Sequence, residues 1–413
     1  MRDIKKIFKR VWRESNGFNK IANIPLAILF CHFLESGKSR LLIRMDSSVS
    51  IRLLPIISSY YLAHAYYLHG AYEKARVHLE RVLTIHPHHA DATYLLCDID
   101  NMQGKKADAW ERITRLTKNS GRLKTWLVMA NLVDNKNDFY RLYTTWRIAI
   151  ESKKVVPFHL EVNGYIATGA LRAKLYDKAL ALWEDFISNI ITQENISRNK
   201  SSHSNFTRGK AERALLDIKK VLDLNDIEFF LVSGTLLGCI REGHLLAHDK
   251  DADIGVWDDY RPDDLIIPIR TSGLFYIQPS RSPHVIRVKH VNGTAIDVFF
   301  HYREKNDYWH GGVKLKWSNT PFELTKHRFL SESFKIPKNF DLYLTENYGN
   351  WRVPRKIFDS SMDTTNATII NNNELRISLY KKLAEARLNK SEHIIQACLL
   401  NLSKIPLKTN SFK

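Results

Sequence analysis

The stretch LLAHDKDADIGVW, residues 245–257, sets Asp249, Asp251 and Asp253 at every second position ahead of an apolar tail. Side chains of a strand alternate with period two, so in a strand these three carboxylates share one face. Carboxylates held so close repel one another unless a cation sits among them, and their hard oxygen atoms suit Mg²⁺ or Mn²⁺. A further acid stands in GTAIDVFFHY, where Asp297 is the only acidic residue of an otherwise apolar run. In a strand buried on both faces such an Asp is costly unless it pairs or binds metal. Asp251, Asp253 and Asp297 are therefore the candidate catalytic and metal-holding residues, with Asp249 expected at the rim as a supporting acid. A Ca²⁺ loop of the EF-hand kind is excluded, because its obligatory Gly and Glu positions, counted from Asp249, hold Ile254 and Tyr260.

Immediately upstream, FFLVSGTLLGCIRE reads as a strand ending in Ser233-Gly234 and a helix starting at about Thr235. Glycine permits close backbone approach, and free N–H groups at a helix start attract phosphate. Ser233, Gly234 and Thr235 thus form a candidate donor-phosphate cradle. Arg241, one or two turns on, can meet phosphates bidentately, and Arg287 and Lys289 of HVIRVKHV share a strand face that adds positive charge, with His290 on the other face. His248 is a candidate base or outer partner of a metal ligand. His301, His310 and a WHGG loop at 309–312 are candidates for the acceptor side, and Tyr348 and Trp351 for stacking on a base or sugar. A phosphate cradle beside a carboxylate-held divalent ion is the arrangement required for attack at phosphorus.

Taken together, SGTLLGCIREG, HDKDADIGVW, AIDVFF and IPKNFDLYLTENYGNWRVP resemble, in order, the four motifs of the LicD/fukutin family, within the nucleotidyltransferase superfamily that shares its core with DNA polymerase beta. The resemblance covers roughly residues 210–360. One departure is His248, where the family more often has Trp, and the zinc-binding cysteines of some eukaryotic members have no counterpart, so zinc is not implied. The resemblance implies a metal-dependent phosphotransferase. It would move a choline, ribitol or glycerol phosphate from a CDP-activated alcohol donor to a hydroxyl of a cell-surface glycan, anionic or neutral, of capsule, lipopolysaccharide or teichoic-acid type. Two other readings stay open: a nucleotidyltransferase acting on an NTP with the same metal core, and a non-catalytic repeat-protein adaptor.

The elements that must position these residues follow a helical half. In LAHAYYLHGAYEKARVHLERVLTIHP, Ala63 and Ala75 let two helices approach closely, Gly70 marks their turn and Pro87 closes the unit. This order resembles a tetratricopeptide repeat, and Gly104 falls one repeat period after Gly70. YIATGALRAKLYDKALALWEDF repeats the pattern, and WLVMANLVDNKNDFYRLYTTW between them is degenerate. The expected architecture is α+β multidomain: an N-terminal helical segment (1–49), an all-α tetratricopeptide-like solenoid (50–190), a polar linker (191–209), a mixed α/β nucleotidyltransferase-fold domain (210–360) and a C-terminal helical segment (361–413). Strands are expected at IEFFLV, DADIGVW, FYIQ, HVIRVKHV and TAIDVFFHY, with the chain helical again after Pro354. The concave face of such repeats suits a protein or polymer partner.

Over 413 residues, 44% hydrophobic and 26% charged content describes a globular chain, and the net charge of +18 favours polyanionic partners. No module dedicated to nucleic acid is recognisable, and an acidic glycan accounts for the charge equally well. Four scattered cysteines give no CxxC metal site or disulfide framework and suit a reducing cytoplasm. IANIPLAILFCHFL is interrupted by Pro25 and falls short of the ~20 apolar residues of a membrane span. It reads as a buried helix. Peripheral contact of the chain with the inner membrane face is compatible with its basic N-terminus.

Overall fold

The structure, a computed structural model, describes residues 19–46, 55–192, 207–247, 249, 251–355, 358–359 and 361–405. The basic N-terminal stretch, His248 and most of the expected linker lie outside them. By contact density the chain divides into two compact units, one of residues 1–92, 204–312 and 316–368, the other of residues 93–203, 313–315 and 369–413.

In the first unit, helix Asn19–Glu35 buries Ala27, Phe30, Cys31 and Leu34, a stripe at three- and four-residue spacing that makes it a core helix. No helix among the described residues is long and apolar enough to cross a membrane. Helices Pro55–Leu68 and Tyr72–Ile85 pack together through the fully buried Ala63 and Ala75. Gly70 turns between them at φ +73°, in the left-handed region that glycine enters at no steric cost. A Cβ at Gly70 would also lie 2.9 Å from Thr271 Cγ2, because this hairpin docks on the sheet-bearing part of the unit. There the Gly273 N–H donates to Leu68 O at 2.9 Å, and Tyr67 stacks on Tyr276 at 5.8 Å.

Among the described residues the mixed sheet has ten strands: β1 (Phe229–Leu231), β2 (Asp251–Trp257), β3 (Phe275–Gln278), β4 (Val285–His290), β5 (Ala295–Arg303), β6 (Tyr308–Gly311), β7 (Leu315–Asn319), β8 (Leu324–Phe329), β9 (Glu332–Pro337) and β10 (Ala367–Ile369). Their order is β10-β7-β6-β5-β2-β1-β9-β8, with β4 pairing β5 and β3. Only β2–β5 and β1–β9 pair in parallel among the registers described. Ile254 and Val256 of β2 and Ile296, Val298 and Phe300 of β5 enter the core with Phe229 and Leu231 of β1. The alternate residues of β2 and β5 face the other way, and that face carries the acids.

Several expectations are corrected. WHGG is not a loop, because Tyr308–Gly311 is strand β6 between β5 and β7. The helix after β1 begins at Ser233 rather than Thr235 and runs to Glu242. After Pro354 the chain becomes helical only at Asn372, where the Asn371 side chain accepts the Glu374 N–H. The second unit is helical, with Trp110, Trp126 and Trp183 fully buried, and Gly104 takes φ +75° at a turn matching that of Gly70. Its helix Asn372–Leu388 packs on Tyr176–Thr192 and on the following helix Glu392–Lys404.

Candidate active site

A cleft of about 610 Å³ in the first unit is lined by Ser233, Gly234, Arg241, Asp249, Asp251, Asp253, Asp297, Tyr348 and Trp351. Residues spread over more than a hundred positions of sequence thus meet in one place, and the local chemistry explains how.

β2 and β5 run parallel with Asp253 opposite Asp297 and Asp251 opposite Ala295. Period-two alternation puts Asp251, Asp253, Asp297 and Phe299 on the cleft face while Ala252, Ile254, Ile296 and Val298 are buried. Gly255 comes next on the acidic face. A Cβ there would lie 2.7 Å from the Phe230 ring and 2.9 Å from His301, so glycine lets these rings close the floor beneath the carboxylates.

The β1–helix turn supplies the second side. Ser233 has φ +50°, a conformation that costs a non-glycine residue ~1–2 kcal/mol and concentrates at functional turns. The N-cap residue of the helix it opens, Val232, makes no side-chain cap. Gly234 serves two acids: its N–H bonds the Asp253 carboxylate, and its bare Cα admits Asp249, whose Oδ2 a Cβ would approach to 2.5 Å. Asp249 therefore lies against the glycine turn, inside the cleft rather than at its rim. Thr235, 1% exposed, does not line the cleft; its Oγ1 accepts the Asp253 backbone N–H at 2.7 Å and so fixes the start of β2.

Among the described residues the cleft lining carries four carboxylates and two arginines, Arg241 and Arg355, although the chain carries +18. The Asp253 carboxyl is pushed well above the usual carboxylate range, by burial first and then by Asp251, Asp249 and Asp297. This acidic set offers carboxylate oxygens. Its chemistry, all hard oxygen, fits Mg²⁺ or Mn²⁺. Among the described residues no three acidic, His or Cys side chains are arranged to hold a metal ion.

The cations do not sit where the sequence reading put them. Arg287 is registered opposite Asp297 and holds it through Nε–Oδ1 (3.2 Å) and Nη2–Oδ2 (3.4 Å). Lys289 is exposed on the same strand, and neither residue lines the cleft. Arg241 does line it, with Nη1 on the Trp351 carbonyl at 3.0 Å and Nε on Glu242 at 2.8 Å, so it also anchors the later motif. Arg355 was not singled out in the sequence. It is exposed at the cleft, and no hydrogen bond or ion pair ties it to another described residue.

Trp351, 6% exposed, donates Nε1 to Asp341 at 3.1 Å, and Tyr348 sets its ring 5.0 Å from Phe358. Tyr343 of the same motif is core, edge-on to Phe322 at 5.4 Å. His290 is 2% exposed and bonds Asp217 at 3.1 Å, a structural tie between β4 and helix Arg208–Asp223. His310 lines the cleft and His301 stacks behind it at 4.5 Å. Phe299, Trp317, Asn347 and Phe358 complete the wall. Trp317 lies on β7, where Val313, Leu315 and Trp317 alternate with Lys314, Lys316 and Ser318, a strand signal that marks a two-faced strand but not its place at the cleft.

Residues 226–339 match the family model described as LicD/FKTN/FKRP, nucleotidyltransferase domain. The chain is 29% identical over 178 residues to the ribitol-5-phosphate transferase FKTN of Mus musculus, covering 40% of this chain and 38% of that protein. The Homo sapiens protein of that name is 28% identical over 162 residues, 36% of this chain and 35% of its own length. An uncharacterised protein of Rickettsia prowazekii (strain Madrid E) is 23% identical over 145 residues, 33% and 52% of the two chains. The chain thus spans little more than a third of the fukutin relatives it matches.

Proposed function

We propose, from the LicD/FKTN/FKRP-type domain that this chain carries at residues 226–339, that it transfers a phosphorylated small alcohol from a CDP-activated donor to a hydroxyl of a glycan. Ribitol phosphate is the first cargo to test, since it is what the FKTN relatives are named for. The observation that carries the reading is the meeting of Asp251, Asp253 and Asp297 with the Ser233–Gly234 turn in one cleft.

In the reaction proposed, the acceptor oxygen bonds to the phosphorus bearing the alcohol, the bond to the bridging oxygen breaks, and CMP leaves. Asp251, Asp253 and Asp297 are the residues that would hold Mg²⁺ or Mn²⁺, which when bound offsets phosphate charge and lowers the pKa of a coordinated hydroxyl. Thr235 and Gly234 fix Asp253 so that it need not reorganise during the reaction. Arg287 keeps Asp297 from turning away. Arg355, uncommitted among the described residues, is the cation placed to draw in the donor's diphosphate. The Trp351 loop, tied back by Arg241, walls the site from water.

The acceptor is proposed to be a surface glycan built on the cytoplasmic side, where nucleotide-activated donors are made, and the helical repeats to be a docking surface for a polymer or protein. Incubating the protein and Mn²⁺ with CDP-ribitol, CDP-glycerol and CDP-choline, with CMP release as the readout, tests the reading. Release from none of them, with release of pyrophosphate from an NTP instead, would replace it with the nucleotidyltransferase alternative.

A further inference from the structure

One wall of the cleft holds a histidine for which phosphoryl transfer has no use. His310 lies on β6 opposite Trp317 of β7. Its ring stacks against His301 (4.5 Å, 23°) and against Trp317 (5.3 Å, 19°), with Phe299 edge-on at 5.5 Å. The residue is 4% exposed and lines the cleft beside Asp297 and Phe299. Among the described residues neither ring nitrogen has a hydrogen-bond partner, and Nδ1 is enclosed as well.

A buried polar atom without a partner is costly, and packing alone would be served better by a phenyl ring at this position. The neighbouring indole cannot satisfy it, since Trp317 Nε1 already donates to Thr364 Oγ1 at 3.2 Å. Nδ1 is closed off, so Nε2 is the nitrogen that a ligand in the cleft can reach and partner.

We propose that His310 is a specificity residue that hydrogen-bonds a hydroxyl of the substrate; the ligand's identity rests on the phosphotransferase reading. A neutral imidazole offers one N–H donor and one acceptor, the same pair an alcohol offers in return. Burial keeps it neutral, with its pKa down at about 4, so it reads a hydroxyl without attracting the acids of the cleft. Trp317 and Phe299 beside it supply the apolar faces against which polyol and sugar carbons pack. The hydroxyl belongs either to the donor's alcohol or to the acceptor sugar, and the chemistry is shared.

His310→Phe keeps the stacked ring and removes both nitrogens; His310→Gln keeps a hydrogen-bonding group. CMP-release kinetics with CDP-ribitol and CDP-choline, and KM for a glycan acceptor, distinguish the sources. Expected for His310→Phe is a rise of about tenfold or more in KM, partly restored in His310→Gln, at a melting temperature no lower than that of wild type. A rise for CDP-ribitol but not CDP-choline assigns the donor alcohol, and a rise for the acceptor alone assigns the sugar. Unchanged KM values throughout, or equal loss of kcat in both variants without a KM change, would overturn the inference. If wild-type protein releases CMP from neither donor, the phosphotransferase reading falls separately. The His310 ring ¹⁵N signals titrated with free ribitol then decide: a shift supports hydroxyl recognition, and a flat titration overturns it.

Discussion

Asp253 and Asp297 face one another across the parallel β2–β5 pair, in the same register that buries Ile254 against Val298 on the opposite side. One backbone alignment thus fixes both the core and the acidic floor. A slip of one residue would turn the carboxylates inward and the aliphatic residues out. Chemistry and stability are locked together here, and the electrostatic cost of the arrangement is measurable.

That cost falls on Asp253. Its folded-state pKa is raised, so between the ordinary carboxylate value and the raised one the folded chain holds a proton that the unfolded chain releases. Stability should therefore decline as pH rises through this window in cation-free buffer. Asp253→Asn should unfold at higher urea than wild type at pH 7.5, the gap should shrink toward pH 4, and Mn²⁺ should raise the wild-type midpoint only.

Thr235 acts on the same residue from behind. Thr235→Val keeps the shape but leaves the Asp253 N–H without its acceptor, a loss of ~1–3 kcal/mol in stability. The expected kinetic signature is a fall in kcat of about tenfold or more with little change in donor KM, and Thr235→Ser should retain most activity.

Two arginines should separate by kinetic parameter. Arg355→Ala is expected to raise donor KM about tenfold, and the remaining affinity should depend less on salt. Arg287→Ala frees Asp297 from its clamp and should lower kcat instead. Steady-state kinetics at two ionic strengths checks both.

His310 gives the opposite pH slope to Asp253. Its pKa is lowered from 6.5 to about 4 by burial, so the unfolded chain binds a proton in that interval and the folded chain does not. Stability should fall as pH drops from 6.5 toward 4, by up to about 3 kcal/mol, and His310→Phe should flatten that limb of the urea midpoint profile.

Much of this was legible in the sequence because its signals are local. Period two exposed the acidic face of DADIGVW, and the apolar run TAIDVFF marked a strand; both are strands, although the second has one face on the cleft instead of two in the core. Proximity in the cleft of Ser233, Gly234, the Asp residues, Tyr348 and Trp351 followed from motif order. What stayed hidden depends on long-range pairing. The cross-strand clamp of Arg287 on Asp297 needs the β4–β5 register, and the strand character of YWHG appears only once β5 and β7 flank it. The inward role of Thr235 depends on β2 passing behind the glycine turn, which no spacing encodes. Arg355 follows Val353 and Pro354 with no periodic pattern around it and became visible only by its position at the cleft.

The most direct test is CMP release and alcohol-phosphate transfer by wild type and Asp253→Asn, side by side, with Mn²⁺ and with chelator. The account expects wild-type activity that chelator abolishes, and a loss of at least about a thousandfold in Asp253→Asn with the folded state intact by circular dichroism. Comparable transfer by Asp253→Asn, or full wild-type activity in chelator, would contradict it.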